Sequence, residues 1–294
     1  MSADRLTLAA SGLEFSAIES GEGNESVVLC LHGFPDSPHT FRHQIGPLAA
    51  AGHRVIVPTL RGYEPSSQPG DGDFSLVALA DDVVGWLDDL GVDRAHLVGH
   101  DWGAAITYVA AARHPDRVLT ATAMAIPPLA RIPAAVRRVP RQLLRSWYMT
   151  FFQLRGLSER ALRAQDWWLL RRLWQTWSPA HSMAESEWNQ LRSQFEEPGV
   201  LTATLGYYRQ NATPSILLGI RSTPAMELTE IAVPTLIVSG TDDGCMDRRL
   251  FDAAIHRGDH PAGVRHVEID GAGHFVHLES PEAINELLLE HLRS

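Results

Sequence analysis

The chain has 294 residues, a formal net charge of −10, and 45% hydrophobic against 20% charged residues. That length can bury a sizeable core, either as one large α/β domain or as a core with an insert. The acidic balance excludes a nucleic-acid surface of clustered cations, and no apolar run is long enough to span a bilayer. Met1–Arg5 lacks the charged-then-apolar order of a secretion signal. Cys30 and Cys245 have neither metal-ligand spacing nor a disulfide pattern, so buried free thiols are expected. A cytoplasmic protein fits all of this.

Residues 5–18 alternate weakly and Gly21-Glu22-Gly23-Asn24 reads as a turn, which predicts a starting hairpin. Val27–Leu31 is a continuous apolar run, as in a strand buried on both faces of a parallel sheet, and it ends in His32-Gly33-Phe34-Pro35. A helix is expected after Ser37, a strand at Arg54–Val57 and a loop over Arg61–Pro69. Ser75 then caps a helix with Leu76, Leu79, Ala80, Val83, Val84, Leu87 and Leu90 on one face, and Gly91 stops it. A strand at Ala95–Val98, a helix to about His114-Pro115 and a strand at Val118–Met124 follow. Such alternation with short connections means parallel strands joined by right-handed crossovers.

The pattern then changes. From Ile126-Pro127-Pro128 to Pro224 no strand is predicted; the segment is helical in composition, rich in arginine, and holds six of the eight tryptophans. Strand and helix resume at Pro234–Val238 and Val264–Ile269, and Ser280-Pro281-Glu282 opens a last helix with an N-cap, an N1 proline and an acid in the first turn. The expected organisation is a first core part over 1–125, a helical insert over 126–224 and a second core part over 225–294.

His96–Gly103 carries the chemistry. An apolar strand runs into Gly99-His100-Asp101-Trp102-Gly103 and then a helix, the strand–turn–helix grammar of a nucleophile elbow. Gly99 and Gly103 suit the turn because a Cβ would crowd the neighbouring backbone, and the helix N-terminus favours an anion at the bend. The central residue is Asp101 rather than serine, and a carboxylate attacks an alkyl carbon more usefully than an acyl one. Taken alone, these five residues read equally well as a polar turn before a helix.

With His32-Gly33-Phe34-Pro35, Arg61-Gly62-Tyr63 and Gly271-Ala272-Gly273-His274-Phe275 in the same order, the chain resembles the epoxide hydrolases of the α/β-hydrolase fold over nearly its whole length. The resemblance implies a mostly parallel sheet with the helical insert as a cap over the active site. It makes Asp101 the nucleophile and His274 the base that activates water, a task that suits an imidazole of pKa about 6.5. The acid behind the histidine lies three residues after Gly240, which selects Asp243 over its neighbour Asp242. The backbone N–H groups of Phe34 and Trp102 become the oxyanion donors, and His32, Pro35 and Trp102 border the substrate. Pro35 is implied to follow a cis bond. Opening an epoxide makes an alkoxide that needs a proton, and tyrosine, with a pKa of about 10, stays protonated at neutral pH. The resemblance gives that role to the cap residues Tyr148 and Tyr208, with less claim for Tyr207. No metal or organic cofactor is implied.

Two other activities share parts of this pattern. A haloalkane dehalogenase has the same Asp–Trp elbow, with Trp102 as a halide donor, but resembles this chain less where asparagine should replace Phe34. A fluoroacetate dehalogenase would carry arginine where Trp102 stands, and a serine esterase would carry serine at the elbow. A non-catalytic binding protein on this fold would keep the pocket and lose catalytic groups. The expected partners are a small apolar epoxide and water, with no nucleic acid or membrane span, in a monomer or homodimer.

Overall fold

Continuous runs of aliphatic residues become the centre of one sheet. The computed structural model describes residues 4–293; residues 1–3, which carry most of the leader reading at Met1–Arg5, lie outside them. The strands are β1 (Asp4–Ala10), β2 (Leu13–Ser20), β3 (Ser26–Leu31), β4 (His53–Pro58), β5 (Ala95–His100), β6 (Val118–Met124), β7 (Thr235–Gly240) and β8 (Val264–Ile269). Their order across the sheet is β1-β2-β4-β3-β5-β6-β7-β8. A starting hairpin forms, but β1 and β2 turn at Ser11-Gly12, and Gly21-Glu22-Gly23-Asn24 instead leads from β2 to β3, which do not pair. The pairs β1–β2 and β2–β4 are antiparallel and the remaining pairs are parallel. Every residue of β5 is buried, as a strand covered on both faces requires. Its register pairs Gly99 with Leu31 of β3 and His100 with Met124 of β6, so the carboxyl ends of three strands converge beside Asp101.

Helices α1 (Arg42–Ala50), α2 (Leu76–Asp89) and α3 (Trp102–Arg113) pack on the sheet. On one face α1 and the last helix, Pro281–His291, bury Leu48, Ile284 and Leu288. On the other, α2 and α3 bury Leu79, Val83, Ile106 and Val109 in a cluster continuous with the insert's Trp174 and Trp188. Ser75 Oγ accepts from Ala78 N at 3.3 Å at the start of α2, and Gly91 adopts φ +65° after its end, both as the sequence predicts. The helix after Ser37 differs in detail: it begins as a single 3₁₀ turn, Pro38–Phe41, before α1. Ser280 precedes the last helix, but its side chain makes no cap bond, and Pro281 alone sets the start. The unexpected helix Arg248–Ala254 is capped by Asp247, whose Oδ1 accepts from Arg249 N at 3.1 Å.

No described residue between Met124 and Thr235 joins the sheet. The helical stretch Leu157–Trp177 is broken where Gln165, Asp166 and Trp167 take φ of 50–61°, so it is two helices meeting at a kink. Side-chain amides and a phenol tie insert to core. Gln68 Nε2 donates to Pro198 O at 2.7 Å, Gln194 Nε2 to Tyr63 O at 3.1 Å, and Asn211 Nδ2 to Phe74 O at 2.8 Å. Tyr207 Oη donates to Arg61 O at 2.7 Å. Arg61 is itself held by a buried bidentate pair with Asp82 of α2, at 2.6 and 2.5 Å. No helix among the described residues is long and apolar enough to cross a membrane.

Candidate active site

Asp101 stands between β5 and α3 with φ 52° and ψ −117°, a backbone state that costs a non-glycine residue about 1–3 kcal/mol and clusters at functional sites. The surrounding glycines are there for close approach. A Cβ on Gly99 would lie 2.1 Å from Gly103 O, one on Gly103 1.9 Å from Leu31 O, and one on Gly33 2.4 Å from Asp101 Cβ. The turn is thereby pressed against the loop after β3, where the Phe34–Pro35 bond is cis, as the resemblance implied. Phe34 N–H donates to Asp101 Oδ1 at 2.7 Å. Trp102, the other expected backbone donor, makes no bond to this carboxyl in the resting geometry.

His274, after β8, brings Nε2 to 3.4 Å from Asp101 Oδ2 and Nδ1 to 2.9 Å from Asp243 Oδ2. Asp243 Oδ1 accepts from Cys245 N at 2.6 Å and Met246 N at 2.8 Å, so the acid is fixed on its second oxygen. Asp243 is the inward-facing member of its pair; Asp242 is exposed. Burial works against a charged His274, yet the carboxylates of Asp243 and Asp101 outweigh it and raise the imidazole to about 10. The insert reaches into this geometry. Trp177 O accepts from both His274 N and Gly244 N at 3.0 Å, and Ser178 Oγ bonds Phe275 N and Glu279, so one helix end clamps both loops behind Asp101. Nothing in the sequence signals this, because main-chain acceptors carry no residue code.

A mainly apolar cavity opens at Asp101, Trp102 and Tyr208, with about 730 Å³ of empty space that includes its solvent-open mouth. Ile126, Leu129, Ile132, Val136 and Leu217 wall it from the insert, and Met246 and Leu250 from the core. Tyr208 Oη is buried without a hydrogen-bond partner; the Trp102 indole lies beside it, ring centres 5.0 Å apart, with no bond in hydrogen-bonding geometry between them. Tyr148 stacks edge-on to Tyr208 at 5.8 Å, and its hydroxyl lies 3.3 Å from Cys245 Sγ. Burial holds both phenols, and the Cys245 thiol, well above their ordinary values, so all three stay protonated. Tyr207 turns the other way, its hydroxyl occupied by Arg61 O.

Two expectations fail. His32 and Pro35 do not border the cavity, and Tyr148, packed against Tyr208, reaches it only through that neighbour. His32 spends Nε2 as the acceptor of Leu60 N–H at 3.1 Å and Nδ1 on Gly33 O at 3.1 Å, and burial pushes it down to about 4. It shapes the loop that carries Phe34 N–H instead. Sequence reasoning also missed Cys245 as the neighbour of Tyr148, and His100, whose Nε2–H donates to His274 O at 3.0 Å. A histidine directly before the elbow residue was the available signal for the second.

The α/β hydrolase fold family model matches residues 26–281. Epoxide hydrolase A of Mycobacterium tuberculosis is 32% identical over 96% of this chain and 95% of its own length. The crystal structure of an epoxide hydrolase from Bacillus megaterium, in complex with an inhibitor, superposes with a TM-score of 0.85 at 25% identity, covering 98% of this chain and all of that one. Epoxide Hydrolase A from Mycobacterium thermoresistibile gives a TM-score of 0.80 at 26% identity over the full chain and 99% of its own. The chain belongs to the α/β-hydrolase fold family, among its epoxide hydrolases.

Proposed function

We propose that the protein adds water to an epoxide to give a vicinal diol, through an alkyl ester on Asp101. The observation that carries this reading is a carboxyl at the wall of an apolar cavity, faced by the unpaired Tyr208 hydroxyl and backed by the His274–Asp243 pair. In this reading Asp101 Oδ2 attacks a ring carbon as the C–O bond breaks, and Tyr208 and Tyr148 protonate the departing oxygen. Esterification removes one of the two carboxylates that keep His274 charged. The imidazole then gives up its proton, which replaces the one lost from the phenols, and takes another from water. Hydroxide attacks the ester carbonyl while Phe34 N–H, already on Oδ1, holds the developing oxyanion. Collapse releases the diol and regenerates the carboxylate.

The insert over 126–224 acts as the cap that supplies both phenols and excludes water. The competing dehalogenase reading rests on Trp102 alone. The Phe34 side chain packs on Phe152, Phe195 and Tyr208 and offers no second halide donor. The test is a panel of terminal, aryl and disubstituted epoxides beside bromoalkanes, with diol and halide both measured, run on wild type and His274→Ala. The variant should accumulate an adduct with the mass of one substrate molecule. Normal turnover without adduct would remove His274 as the base, and halide release without diol would remove the epoxide reading.

A further inference from the structure

The insert carries its charge unevenly. Residues 131–163 hold eight arginines and a single acid, Glu159. Glu159 is paired with Arg209, Arg131 with Asp259, and Arg145 turns to the carbonyls of Asp243 and Met246. Arg137, Arg138, Arg141, Arg155, Arg160 and Arg163 are exposed, and no carboxylate pairs with them among the described residues.

The same stretch carries an exposed apolar side. Helices Gln142–Arg145 and Trp147–Phe151 join through Ser146 at φ −84° and ψ 13°, forming a nearly continuous helical ribbon. Gln142, Ser146 and Met149 face inward and line the active-site cavity. Leu144, Trp147, Leu154 and Leu157 face outward, with Leu144 75% and Trp147 48% exposed. Three leucines and a tryptophan thus lie open to solvent along one side of this stretch. Exposed leucines and a tryptophan ringed by unpaired cations suit the plane of a bilayer surface, apolar side in the acyl boundary and arginines at the headgroups.

We propose that this outer face docks on an anionic lipid bilayer, lying in its surface rather than crossing it. A two-fold contact with a second copy through the same face would oppose two sets of unpaired arginines. Outside 126–224 the chain carries 29 acids and 12 arginines, so an anionic surface repels the remainder and orients the molecule insert-down. The ribbon that meets the lipid is also a wall of the cavity, which gives an apolar substrate dissolved in the bilayer a short route inward. That last step rests on the proposed reaction; the docking does not.

Co-sedimentation with phosphatidylcholine vesicles, with and without phosphatidylserine, tests it. Phosphatidylserine should raise the bound fraction about tenfold, and added salt should reverse the gain. Leu144→Ser/Leu154→Ser/Leu157→Ser should abolish binding, and Arg137→Gln/Arg138→Gln/Arg141→Gln should abolish the phosphatidylserine dependence. Both variants should keep the far-ultraviolet spectrum and the hydrolysis of a water-soluble epoxide. Equal binding to the two vesicles, or no binding, overturns the proposal. So does light scattering that finds a wild-type dimer which the leucine variant dissociates, since the face is then a protein interface. Docking without epoxide hydrolysis would leave the surface standing and sink only the reaction.

Discussion

His274 is the residue whose chemistry depends most on its neighbours. Two carboxylates raise it against the pull of burial, so the resting site stores a proton between Asp101 and Asp243. Asp101→Asn imitates the loss of charge that the proposed esterification would bring. It should lower the His274 pKa from about 10 by at least about one unit, read from the imidazole resonances by NMR. An unchanged value would mean that Asp101 does not govern the base. The two phenols should also differ. Tyr208 has an unpaired hydroxyl at the cavity, whereas Tyr148 rests against Cys245. Tyr208→Phe should therefore cost about a hundredfold in kcat/KM, the scale of a lost general acid, and Tyr148→Phe less. Equal losses in steady-state kinetics would show that the thiol contact does not matter.

At the scale of elements, the elbow and the α2 anchor set the site. The Cβ of a Gly103→Ala variant would enter the Leu31 carbonyl, which is backbone and cannot rotate away. Destabilisation of about 3 kcal/mol is expected from such overpacking, measured by urea unfolding. Asp82→Ala strands the buried Arg61 guanidinium, with an expected cost of about 3–5 kcal/mol. The elements themselves were legible because centre strands such as β3 and β5 are unbroken apolar runs, and Ser75 and Gly91 mark the ends of α2. Asp101 was legible only with the other motifs in the same order, since Gly99-His100-Asp101-Trp102-Gly103 alone reads equally well as a polar turn. Cys245 beside Tyr148 and the Trp177 clamp were not, since they join chain segments about 97 and 67–97 residues apart through geometry alone. His32 misled because the resemblance set it beside the substrate, when the backbone had already claimed both ring nitrogens.

For the whole molecule, the buried histidines divide the pH axis. His32 and His96 are lowered to about 4, chiefly by burial, so their contribution is present above an unfolded pKa of about 6.5 and is lost as pH falls through 4. His274 is raised, so its contribution is complete below about 6.5 and is lost as pH rises through 10. Urea midpoints followed across pH should therefore fall on both sides of neutrality, and His274→Ala should flatten only the alkaline side.

The bonds from Gln68, Gln194, Asn211 and Tyr207 tie the helical segment to the core at four points and oppose its swinging away as a lid. Lifting it would break these bonds and, at Trp177, pull His274 and the loop of Asp243 out of line. With the segment held down, passage falls to rotamer changes of wall residues such as Met149 and Leu143, and admission becomes a matter of girth. Slim, flexible molecules should enter quickly, and rigid broad ones of equal polarity should be refused at the door.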